Sequence, residues 1–103
     1  MSIVKVSEHG KNLGTRLDGR LIRHEISNKI SISVDVKVII DFSDVEMISG
    51  SFADECIGQL VTDYGFESIR NKISIRNSNE NVTLILKQAI KERLIRMHQY
   101  RDK

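Results

Sequence analysis

Apolar and polar positions change period several times along this chain, and each change marks an element. Ile3-Val4-Lys5-Val6 is a short β-branched stretch and predicts a strand. The segment Glu8-His9-Gly10-Lys11-Asn12 has turn chemistry. Leu17, Leu21, Ile22, Ile26 and Ile30 then recur at helical spacing. Thr15 stands where an N-cap is wanted, with Asp18 three residues on as in a capping box. Gly19 weakens this helix by about 1 kcal/mol relative to Ala. Residues 31–35 read as a connection. In Val36–Phe42, Val38, Ile39 and Ile40 run together before Asp41, which predicts a parallel strand buried on both faces. From about Ser51 to Tyr64, Phe52, Ala53, Cys56, Ile57, Leu60, Val61 and Tyr64 fall on one broad helical arc, and Gly65 stops it. Lys72–Arg76 alternates as an edge strand does. A last helix is expected from about Asn79 to His98, with Val82, Leu86, Ala89, Ile90, Leu94, Met97 and Tyr100 inward. Leu84 and Ile95 point the other way and suggest a partner face or a homodimer contact.

The order is β-α-β-α-β-α. Strands separated by helices pair in parallel through right-handed crossovers. The expected fold is α/β, a small, mostly parallel sheet flanked by helices, with Val36–Phe42 near its centre. Residues 1–103 are expected to form one domain. No run approaches the roughly 20 apolar residues that span a bilayer, and the N-terminus has no basic-then-apolar signal pattern. A cytoplasmic protein with no membrane partner is therefore expected. The single cysteine, Cys56, excludes an internal disulfide and lies on the apolar arc, as a small buried hydrophobe would.

Charge adds one asymmetry to a net +2. Residues 1–69 hold seven Lys/Arg against eleven Asp/Glu, whereas residues 70–103 hold nine against three. A basic C-terminal helix can bind nucleic acid, and Lys87, Lys91, Arg93, Arg96, Arg101 and Lys103 are the candidate phosphate contacts. Aromatic residues for base stacking are scarce, and these cations form no clean stripe. Nucleic-acid binding is therefore the alternative reading. Catalysis finds no constellation. The histidines are scattered, no glycine-rich phosphate loop appears, and no metal or other cofactor is expected.

The stretch with most to say is Ser43 to Glu55. In open α/β sheets, ligands and partners meet the C-terminal ends of strands, where helices begin. Ser51 is expected to cap the following helix by accepting from the N–H of Asp54 or its neighbour. Gly50 allows a sharp turn. A phosphate here would meet free N–H groups and the positive helix end, opposed by Asp44, Glu46, Asp54 and Glu55. Cap and switch both remain open.

Val38-Ile39-Ile40-Asp41-Phe42-Ser43-Asp44-Val45-Glu46-Met47-Ile48 resembles the STAS domain, named for sulfate transporters and anti-sigma factor antagonists. Without gaps, Ser49 falls on that family's Asp, Gly50 on its phosphorylated Ser and Ser51 on its second Ser. The chain is more similar still to the STAS-like domains of unknown function. Ile40-Asp41-Phe42, Val45-Glu46-Met47-Ile48 and Phe52-Ala53-Asp54-Glu55 carry that likeness, with Gly14-Thr15-Arg16 upstream. The resemblance implies a non-enzymatic regulatory module that binds a protein, with an ATP-binding histidine-kinase-type protein as the partner class. It implies a partner surface of Ser43, Asp44, Met47, Ser49, Gly50, Ser51 and Asp54. Ser49 and Ser51 are the candidate phosphoacceptors.

Overall fold

The computed structural model describes residues 2–33 and 35–101. Strand β1 (Ile3–Lys5) leads through a 3-10 turn to the two-residue strand β2 (Asn12–Leu13) and helix α1 (Arg16–Ile32). Strand β3 (Val38–Asp41) is followed by β4 (Met47–Ile48). One continuous helix then covers residues 50–64, in three parts. These are α2 (Gly50–Ala53), a π segment (Asp54–Gly58) and α3 (Gln59–Tyr64). Helix α4 (Phe66–Lys72), strand β5 (Ile73–Arg76) and helix α5 (Glu80–Arg101) complete the order.

The main sheet has the order β1-β3-β5, all parallel, so the apolar strand at 38–41 is central as expected. Both crossovers advance in the same direction. Right-handed crossovers that do so place their helices on one face of the sheet. Burial agrees. Val4, Val38, Ile40 and Ile73 are buried, whereas their neighbours Ile3, Lys5 and Arg76 on the opposite face are exposed. Ile39 is only half-buried. The apolar run therefore does not mark burial on both faces, because only one is roofed by helices. A second, two-stranded parallel sheet joins β2 to β4, pairing Asn12 with Met47 and Leu13 with Ile48. Strands this short leave no period to read in the sequence.

Helix α1 begins as its cap predicts, with Thr15 Oγ accepting from the Asp18 N–H at 3.1 Å. Its buried face is Gly19, Ile22, Ile26 and Ile30, and Leu17 and Leu21 face solvent instead. The reason is Gly19. A Cβ there would lie 2.7 Å from the Phe52 carbonyl oxygen and 3.1 Å from Glu55 Cβ. Backbone meets backbone at this crossing, which turns Gly19 inward and Leu17 and Leu21 out. Phe52, Ala53, Cys56, Ile57, Leu60 and Val61 all lie in the core, as their arc predicts. Burial pushes the Cys56 thiol up to about 12, against a lowering by Arg23, so it packs as a neutral hydrophobe. Gly65, at φ +83°, ends one helix and opens the next, so 66–72 is a short helix rather than a loop.

Candidate functional site

The turn after β3 is held by side chains from distant parts of the chain. Asp41 Oδ1 accepts from the Ser43 N–H and from Asn77 Nδ2, both at 2.9 Å. Those two hydrogen bonds, from Asn77 first and then Ser43, hold its carboxyl below the usual range. Asp41 is thus a turn-former. Asp44 takes the left-handed conformation at φ 65°, which Asp tolerates better than most residues. The Val45 and Glu46 carbonyls accept from Asn79 Nδ2 at 3.3 and 3.1 Å. The same Asn79 caps α5, its Oδ1 accepting from the Val82 N–H at 2.8 Å. One side chain therefore ties the turn to the last helix.

The cap of the central helix is Ser49, not Ser51. Ser49 Oγ accepts from the Phe52 N–H at 3.0 Å and donates to the Gly14 carbonyl at 2.9 Å. Ser51 already lies inside the helix and is exposed. The bond to Gly14 decides between the two serines, because the 2.9 Å approach of that carbonyl satisfies the hydroxyl of Ser49 on both sides.

The FADE block sits at the wide turn of this helix. Asp54 and Glu55, the first residues of the π segment, leave the helix in different directions. Asp54 Oδ2 accepts from Arg16 at 2.9 Å, and Oδ1 accepts from Arg93 and Arg96, each at 2.7 Å. Glu55 pairs with Arg23 at 2.9 Å and more loosely with Arg20 at 3.9 Å. The Asp54 side chain is 18% exposed and that of Arg93 12%. Burial alone would push Asp54 up. The hydrogen bonds from Arg16, Arg93 and Arg96 outweigh it and bring the carboxyl down to about 2. Arg93 also donates to Gln59 and Thr62, at 3.1 and 2.8 Å. Gly58 leaves the room this needs, since a Cβ there would lie 3.1 Å from Asp54 Oδ1 and 3.5 Å from Arg93. Asp54 is thus a latch joining α1, the central helix and α5.

The seven residues expected at the partner surface therefore divide. Asp44, Met47, Gly50 and Ser51 present exposed positions, with Met47 63% accessible. Ser43 is half-buried, and Ser49 and Asp54 are engaged within the fold. Ser51 and Gly50 line a cleft of about 430 Å³ with Arg16, Asp54, Glu92 and Arg96. Sequence spacing gives no sign of these arginines, because they reach Asp54 across 38, 39 and 42 residues.

The candidate nucleic-acid row also divides. Arg93 is committed to Asp54, Gln59 and Thr62, and Arg96 to Asp54. Lys87 and Lys91 are exposed and form no ion pair among the described residues. The side chains of Arg101 and Lys103 lie outside the described residues, as does that of Tyr100. Among the described residues no cluster of His, Cys, Asp or Glu suits a metal ion, and no helix is long and apolar enough to cross a membrane.

No curated protein and no solved structure matches the chain. A family model does, and it covers residues 18–83. That stretch runs from the first turn of α1 through β3, the braced turn, the latched central helix and β5 to the start of α5. It contains the Gly19 crossing, the Ser49 cap and the FADE carboxylates, and by it the chain belongs to the family described as STAS-like domain of unknown function (DUF4325).

Proposed function

We propose that this chain is a non-enzymatic regulatory module of the cytoplasm that binds another protein through the exposed side of its 43–51 turn. One observation carries the reading. The turn is braced from beneath by Asp41, Ser49 and Asn79, yet Asp44, Met47, Gly50 and Ser51 are left exposed. A rigid backbone costs little to order on binding, and an exposed Met is an adaptable apolar anchor. The family resemblance supplies the partner class, an ATP-binding histidine-kinase-type protein.

Within this reading Ser51 is the switch and Ser49 is not. The Ser49 hydroxyl is used twice within the fold, so modifying it would break the cap. Ser51 is exposed and shares its cleft with Arg16 and Arg96. A phosphate there would compete with Asp54 for those guanidinium groups and add charge to the docking face. Nucleic-acid binding is disfavoured because Arg93 and Arg96, central to the basic row, are already paired with Asp54.

The test is capture from native lysate by wild type and by a Met47→Asp/Ser51→Glu variant, both substitutions at exposed positions, with an unchanged unfolding midpoint as the check on the fold. An ATP-binding kinase-type protein retained by wild type and lost by the variant is expected. Equal retention by both, or nucleic acid as the sole captured species, would overturn the reading.

A further inference from the structure

A second surface lies on the other side of α5, away from the turn. An open groove of about 650 Å³ runs between the start of α4 and the middle of α5. Phe66, Ile90, Leu94 and Ile95 form its apolar lining, and Lys87 and Lys91 are its charged members. Ile90 and Leu94 pack against the core with one edge, while Ile95 is 46% exposed. The Arg70 guanidinium stands 6.0 Å from the centre of the Phe66 ring. Glu67 is close by but pairs with Arg70 at 3.6 Å. Glu92 lines the Ser51 cleft instead. The lining is apolar apart from Lys87, Lys91 and His98, and it holds no carboxylate.

We infer that this groove docks an acidic amphipathic helix of a protein partner, distinct from whatever binds the turn. Charge chooses the occupant. Exposed lysines beside an apolar lining favour a ridge of apolar side chains flanked by carboxylates. A second copy of this chain is a poor fit. Self-association along the same groove would bring both copies' lysines into one interface, with no acidic side chain in the groove lining to meet them. A lipid surface is a poorer fit, because the lining joins Phe66 of α4 to α5 and is not the single amphipathic helix that lies in a bilayer interface. Length also agrees. From Lys87 to His98 the groove follows about 16 Å of helix axis, which suits three turns with apolar anchors at i, i+4 and i+7.

The probe is a fluorescein-labelled helical peptide with leucines at i, i+4 and i+7 and glutamates flanking them, titrated by fluorescence polarisation against the full chain. Saturable binding is expected, weakened at least about tenfold by Lys87→Glu/Lys91→Glu and by Ile95→Asp. A peptide with lysines in place of the glutamates should bind the charge-reversed protein and not the wild type. All three substituted positions are exposed, and unchanged unfolding midpoints check the fold. No saturable binding, or equal binding by all variants, overturns the inference. So does concentration-dependent dimerisation abolished by Ile95→Asp, which assigns the groove to a second copy. Partition into anionic vesicles without peptide binding assigns it to lipid and overturns it equally. Loss of turn binding on Met47→Asp with the groove still active would leave this inference standing.

Discussion

Two serines flank Gly50, and they do different work. Ser49 closes the helix and reaches back to Gly14, so Ser49→Ala should cost about 1–2 kcal/mol, read as a lower urea midpoint at unchanged slope. Ser51→Ala should stay within about 0.5 kcal/mol, as exposed substitutions away from such features do. The reverse ranking would return the cap to Ser51. Local pattern favours Ser51, because Asp54 follows it three residues on and mimics a capping box. Only the fold brings the Gly14 carbonyl to Ser49, across 35 residues. Thr15, by contrast, is legible because its partner Asp18 is local. Gly19 makes a similar point. Helix propensity alone predicts that Gly19→Ala stabilises by about 1 kcal/mol. The 2.7 Å approach to the Phe52 carbonyl predicts the opposite, a loss of about 1–3 kcal/mol by overpacking. Thermal unfolding of that single variant separates the two.

Among elements, the central helix is the hub, and its π segment is where the latch forms. A π turn widens the helix at Asp54–Gly58, the stretch that meets arginines from α1 and α5. Removing Asp54 would leave Arg93 largely buried without its countercharge. Asp54→Ala should therefore cost on the order of 3 kcal/mol, and a loss under about 1 kcal/mol would reduce the latch to surface decoration. Acid should act on the same group. Its folded value of about 2 lies below the ordinary 3.8, so its contribution is fully present above about pH 4 and is lost as pH falls towards 2. Asp54→Asn should flatten the stability–pH curve in that window. An unchanged slope would contradict the assignment. The elements themselves were mostly visible in periodicity, from β3 to the buried arc of the central helix. Helix α4 was not, because seven residues between Gly65 and a strand hold too few turns for a period to emerge. The latch was not either, since long-range ion pairs leave no mark in local spacing.

At the scale of the whole molecule, strand order explains what is covered and what is not. A sheet wound in one direction roofs one face, and the braced turn opens at the C-terminal end of its central strand. The α/β class and the parallel order follow from the alternation of elements. The bare face does not, because the same alternation also suits sheets wound both ways. Helix α5 links the parts, pinning the turn through Asn79, gripping the latch through Arg93 and Arg96, and turning Lys87 and Lys91 to the far side. The turn that α5 pins is braced inside and exposed outside. The most direct test of its docking role is a photo-crosslinking residue placed at position 47 in the full chain and exposed in native lysate, with position 28 on α1 as the reference. An adduct with an ATP-binding kinase-type protein is expected at 47 and not at 28. The same adducts at both positions, or none at 47, would contradict that role.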